Sequence, residues 1–155
     1  MNSIDGFRSD NQVDDGFRYV ASDDETHLAM LREVERALKP GGRFLLDTTN
    51  RERVAKAGKS QSWRAPEGDL PWLLRESVFD PETGEQHHTE HLILENRVDT
   101  RRFKRRHYTL KELAALLACA GLHLRTAYGS LSLEPYSVES PRMIVIADKE
   151  SEKEP

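Results

Sequence analysis

The chain has 155 residues, of which 37% are hydrophobic and 32% charged, and its formal charge at pH 7 is −4. That length carries one domain with a modest core, and the acidic balance excludes bulk attraction to nucleic acid or to an anionic membrane surface. No apolar run approaches the roughly 18 residues of a membrane-spanning helix and no signal-peptide pattern opens the sequence, so the expected location is the cytoplasm.

Residues 1–18 are polar and aperiodic and read as a disordered tail. An α/β domain is expected over 19–148. Ser22 and Glu25 are spaced as a capping box, in which each side chain satisfies the other's free backbone amide. Leu28, Leu31, Val34 and Leu38 follow at helical spacing and leave Arg32, Glu33 and Arg36 to solvent. Pro40 and Gly41 stop this helix. Arg43 to Thr49 then reads as a strand, and its Phe44-Leu45-Leu46 centre is apolar without alternation, the pattern of a strand covered on both faces.

An antiparallel insertion is expected over about 60–107. Leu73 to Phe79 and Glu85 to Leu94 flank "DPETG", whose early Pro and final Gly suit a hairpin with a type I turn and a bulge. A third strand is expected from Asn96 to Arg106, with Trp63, Trp72 and Phe79 anchoring the insertion. Thr109 and Glu112 make a second capping box, and Leu110, Leu113, Leu116, Leu117 and Ala120 form one helical face that Gly121 ends. Cys119 lies within this pattern and reads as a small buried hydrophobe; as the single cysteine it excludes an internal disulfide and fits a reducing compartment. Leu122 to Tyr128 is a strand, 129–141 a loop, and Met143 to Ala147 a continuously apolar central strand. Residues 149–155 read as a second disordered tail.

Four stretches, "LREVERALKPGGRFLLDTTNRE", "FDPETGE", "YTLKELAALLACAGL" and "YGSLSLEPYSVESPRMIVIA", stand in this order between Gly16 and Lys149. Together they resemble the C-terminal half of class I S-adenosylmethionine-dependent methyltransferases of the small-molecule type. The resemblance implies a partial Rossmann-like α/β fold: the last three strands of the sheet, the final one antiparallel, with an inserted antiparallel hairpin or sheet. It also implies S-adenosylmethionine as cofactor and a small-molecule acceptor. In that family the cofactor site is a Gly-rich turn from strand to helix, with an acidic residue ending the next strand. Gly6 and Gly16 stand in aperiodic polar sequence and do not match it, so no cofactor-binding or catalytic residue is assigned. The family's first four strands have no counterpart here, which leaves the Phe44–Leu46 strand with a free edge. Such an edge pairs or aggregates, so a homo-oligomer or a partner chain is expected there.

Ligands of open α/β sheets settle beyond the carboxyl ends of the strands. The resemblance therefore implies that Asp47, Thr49, Asn50 and Arg51 face the acceptor, and that loop 129–141 brings Tyr136, Ser137 and Arg142 to the same rim. The structural alternative pairs Arg51 with Glu52, packs Tyr136 and ties Arg142 to a carboxylate. His87, His88 and His91 suggest a metal, but alternation lets only two converge, so no metal site is expected and the imidazoles are read as facing solvent. The basic run Arg101 to Arg106 splits its charge over two faces, which disfavours RNA. No nucleophile–base pair is discernible, and methyl transfer needs none, because in-line displacement depends mainly on proximity and orientation. Three functions stay open: a methyltransferase or its acceptor half, a non-catalytic fragment acting as an interaction or oligomerisation module, and an RNA-binding adaptor.

Overall fold

The structure is a computed structural model that describes residues 23–151. Helix α1 spans Asp24–Ala37. Ser22, all of the first expected tail (1–18) and residues 152–155 of the second lie outside the described residues. The cap is made by Asp23, whose carboxylate accepts the Thr26 amide at 2.8 Å, and that bond holds its pKa below the ordinary range. Leu31 points into the core and Arg32, Glu33 and Arg36 into solvent, as the spacing predicts. The stop is a turn in which the Gly42 amide returns to the Lys39 carbonyl at 2.8 Å. Pro40 and Gly41 occupy its centre; Gly41 has φ +72°, the left-handed geometry that only glycine adopts without strain.

Strand β1 (Arg43–Thr49) leads into a short helix α2 (Arg51–Ala57) that sequence reasoning took for loop. A four-stranded antiparallel sheet follows, made of β2 (Lys59–Arg64), β3 (Trp72–Asp80), β4 (Glu85–Ile93) and β5 (Val98–Arg106) in chain order. The chain closes with α3 (Leu110–Cys119), β6 (Leu122–Tyr128) and β7 (Arg142–Lys149). In the first sheet the order is β1-β7-β6, and β7 is antiparallel to both neighbours. β1 and β6 therefore run the same way with β7 reversed between them, the expected arrangement of three terminal strands.

Among the described residues the buried apolar side chains form one core cluster. Leu31 from α1 and Leu113 and Leu117 from α3 pack on Leu46, Leu122, Met143, Val145 and Ala147. Both helices thus lie on one face of the first sheet. Leu45, on the opposite face of β1, is 58% exposed, which corrects the expectation of a strand covered on both faces. Cys119 is exposed too, because Leu113, Leu117 and Ala120 fix the inward side of α3 and residue 119 turns away from it. Lys149 belongs to β7, not to a tail; its ammonium binds the Glu35 and Leu38 carbonyls at the end of α1 at 2.8 and 3.0 Å.

The second sheet covers the expected insertion with one strand more than predicted, β2. Its β3–β4 hairpin keeps a regular register from Asp80↔Glu85 onward, so the predicted bulge is absent. The Gly84 amide bonds the Asp80 carbonyl at 2.9 Å, and φ +70° at Gly84 explains the glycine. The Asp80 side chain accepts from the Thr83 hydroxyl and then the Glu82 amide, which lowers its pKa. Phe79 is buried, but Trp63 and Trp72 are exposed and touch each other as tilted rings with centroids 5.4 Å apart. They do not anchor the insertion as expected. Arg106 does more to join the two parts: it reaches Asp24 of α1 and Glu112 of α3, each at 3.1 Å, and lies 4.6 Å over the Tyr108 ring. No helix among the described residues is long and apolar enough to cross a membrane.

Candidate functional site

The rim beyond the carboxyl end of β1 is organised by Asn50. The residue is fully buried and caps α2, its Oδ1 accepting the Glu52 amide at 3.1 Å. Oδ1 also accepts from the Tyr136 hydroxyl at 2.9 Å. Nδ2 donates toward three carbonyls of the β6–β7 loop, those of Ser137, Val138 and Ser140, at 3.2, 3.0 and 2.9 Å. One side chain therefore ties together the end of β1, the start of α2 and a loop almost ninety residues downstream. Burial, followed by the charge of Glu52, raises the pKa of Tyr136, which keeps its hydroxyl protonated and able to donate.

Asp47, three residues before Asn50 on β1, meets Arg142 at the start of β7. The Arg142 Nε donates to Asp47 Oδ1 at 2.5 Å, and the Asp47 side chain is 7% exposed. Only one arm of the guanidinium engages, so Asp47 Oδ2 and Arg142 Nη2 are buried without a hydrogen-bond partner. A pair left half satisfied contributes little net stability and fixes geometry instead. Thr49 stands opposite Arg142 in the β1–β7 register. Ser137 is held within its own loop, its amide and hydroxyl both contacting Ser140 Oγ, at 2.9 and 3.2 Å.

Six of the seven candidate residues thus gather at one rim. Arg51 departs from it. Its guanidinium donates to the Pro81 carbonyl at 3.1 Å, lies 5.3 Å over the Phe79 ring and pairs with Glu52 at 3.6 Å, so it clamps the hairpin to α2. Sequence reasoning missed Ser140 as a pivot and Lys56, which pairs with Glu139 of the loop at 3.0 Å. The second follows from the helix at 51–57, which Asn50 ahead of Arg-Glu-Arg-Val-Ala-Lys-Ala does signal.

The other constellations are used elsewhere. His88 is buried, bonded to Ser77 Oγ at 2.7 Å and stacked on Phe103 at 4.7 Å, so it does not face solvent as expected, although it does point away from His87 and His91. No group of three metal-ligating side chains converges among the described residues. In the basic run Lys104 pairs with Glu85 at 2.6 Å, Arg105 is buried, and Arg106 is held by Asp24 and Glu112. A cleft of about 450 Å³ opens on the second sheet beside Trp63, Leu74 and His91, but no candidate residue lines it.

No family model matches the chain. Over 134 residues it is 28% identical to a cypemycin N-terminal methyltransferase from Streptomyces sp, covering 85% of this chain and 54% of that protein. Among solved structures it superimposes on the CcbJ methyltransferase from Streptomyces caelestis with a TM-score of 0.67 at 17% identity, covering 86% of this chain and 56% of that one. It also matches S-adenosylmethionine-bound CalS10, an amino pentose methyltransferase from Micromonospora echinaspora, with a TM-score of 0.54 at 15% identity, over 87% and 55%. The chain spans about half the length of each of these three proteins. With the sheet order β1-β7-β6 and the antiparallel insertion, these likenesses show that it has part of the class I S-adenosylmethionine-dependent methyltransferase fold, its last three strands.

Proposed function

We propose that this chain forms the acceptor-facing part of an S-adenosylmethionine-dependent methyltransferase that acts on an amine of a small molecule. The observation that carries this reading is the Asn50-centred rim, where two distant segments converge beyond the carboxyl end of β1, the ligand side of such sheets. The amine is suggested by the relatives, one named for an N-terminus and one for an amino pentose. Asp47, Thr49, Asn50, Tyr136, Ser137 and Arg142 shape the floor on which the acceptor is held; Arg51 fixes α2 beneath it. None of them is set up as a base: the Asp47 carboxylate is paired and Tyr136 keeps its proton. Their contribution is orientation.

The described residues do not themselves fit the cofactor. Its site in such sheets needs glycines in a turn from strand to helix. Here the strand-to-helix junctions are Thr49-Asn50-Arg51 and His107-Tyr108-Thr109, and neither contains glycine. Cofactor contacts are therefore assigned to no residue of this chain. We place the protein in the cytoplasm, since its one cysteine is free and exposed. The test is methyl transfer to primary amines, amino sugars and short peptides, measured with this chain joined to the part of the cypemycin relative it does not match. Transfer lost on Asn50→Ala supports the reading; transfer to hydroxyl acceptors alone contradicts it.

A second reading is favoured by one observation, the edge of β1 that no strand pairs among the described residues: a non-catalytic module that associates there with a second copy or another chain.

A further inference from the structure

One half-buried arginine of the second sheet has no partner among the described residues. Arg64, the last residue of β2, makes no hydrogen bond or ion pair there, and its Nε is shut off from water. A guanidinium is always charged and only donates, so a buried N–H of this kind left unbonded is costly. In a folded chain such a group points to a bound water or ion.

The surroundings favour an anion. In the β2–β3 register Arg64 stands opposite Leu73 and Ser62 opposite Arg75, so the four share one face of the sheet. With Trp63 they line a cleft of about 210 Å³ at the outer strand. Pockets that enclose a whole drug-sized ligand start at roughly 300 Å³, so this one suits a single polar group. Arg75 is already oriented: its Nε and Nη2 bond Glu90 Oε1 at 2.7 and 2.5 Å, which leaves Nη1 unused. The nearby acids do not neutralise Arg64. Glu90 is taken by Arg75 and Asp99 by Arg97 at 3.1 Å, and Glu67 and Asp69 in the β2–β3 connection form no ion pair. Arg101, opposite Glu90 across β4 and β5, adds positive charge to the same face.

We propose that Ser62, Arg64 and Arg75 form a binding site for the phosphate group of a small-molecule monoester. One guanidinium suffices for a carboxylate, as Arg75 does for Glu90, whereas donors from two strands and a hydroxyl suit a tetrahedral oxyanion. The site is separate from the Asn50 rim. Arg75 lies four residues along β3 from Phe79, where Arg51 meets the sheet, and at the rise of a strand that is about 13 Å.

The experiment follows the arginine Nε–H signals and the Ser62 amide of the full chain by NMR. Sodium phosphate, glycerol 2-phosphate or sodium acetate is added, with sodium chloride adjusted to hold ionic strength constant. The expected result is saturable movement of the Arg64 and Arg75 signals with both phosphates. Arg64→Gln should weaken phosphate binding, read at the Ser62 amide, by about tenfold or more. Arg64→Lys, which keeps the charge and loses the fork, should fall between the two. Arg102→Gln, which removes the same charge from the opposite face of the sheet, should leave binding within about twofold. Movement that does not saturate overturns the site, as does equal weakening by Arg102→Gln. Acetate bound as tightly as phosphate overturns it too, as does a response that appears only when residues 1–22 are deleted, since those residues would then be the occupant.

Discussion

The two sheets of this chain are stabilised in different ways. The β1-β7-β6 sheet has a dry face: α1 and α3 press leucines onto it, and the buried core cluster is drawn from these elements with Tyr108 and Ala120 at the two ends of α3. The four-stranded sheet encloses no comparable core. Of its apolar residues only Phe79 is buried, while Trp63, Trp72, Leu74, Val78, Ile93 and Val98 are exposed. What it buries is polar, including Ser77, His88 and Arg105, and it is held by a regular ladder and by cross-strand pairs such as Arg75 Nε to Glu90 at 2.7 Å. The contrast teaches where substitutions will be felt. Packing governs the first sheet, whereas the second depends on its attachments at α2, Arg51 and Arg106.

The largest predicted effect is therefore in the first region. Leu117→Ala, at a site with no exposure, should cost about 2–5 kcal/mol in urea unfolding, against less than about 0.5 kcal/mol for Val78→Ala on the open face of β3. Equal losses would erase the distinction. Asn50→Ala should follow at about 2 kcal/mol, because it strips a buried cap and leaves loop carbonyls without their donor. Amide exchange in that variant should rise first in 137–140, far from position 50 in sequence.

The junction between the regions gives a pH-dependent test. Burial alone would raise the pKa of Glu112, but the Thr109 amide and hydroxyl and then Arg106 bring it below its ordinary 4.5. A carboxylate depressed on folding contributes stability that is present above about pH 4.5 and lost as pH falls through the folded value. Thr109→Ala should cost about 1 kcal/mol at pH 7 and reduce the acid-side loss, measured by unfolding at pH 7 and at pH 4. At the small end, Trp63→Ala should change stability by no more than about 0.5 kcal/mol, since the ring is 70% exposed. A larger loss would show that the second sheet carries a core after all.

Much of this was legible in the residues, and the failures have physical causes. Capping chemistry is local, so Thr109 with Glu112 marked a helix start that the structure repeats, hydroxyl and carboxylate each bonded as expected. The hairpin at residues 80–84 was legible for the same reason. Burial is not local. Leu45 and Leu46 look alike in sequence, and only the placement of both helices on one side decides which is covered. Trp63 misled because large aromatics usually seek a core, and the strand that carries it has none to face. The rim was located by topology, but its pivot was not: that Asn50 would answer to carbonyls at 137, 138 and 140 depends on a loop closure that no short pattern encodes.

The measurement closest to the central claim is calorimetric titration of S-adenosylmethionine into the chain alone and into the chain joined to the part of the cypemycin relative it does not match. The account predicts no saturable heat from the chain alone and saturable binding by the joined protein. Saturable binding by residues 1–155 in isolation, or a folded joined protein that stays silent, would contradict it.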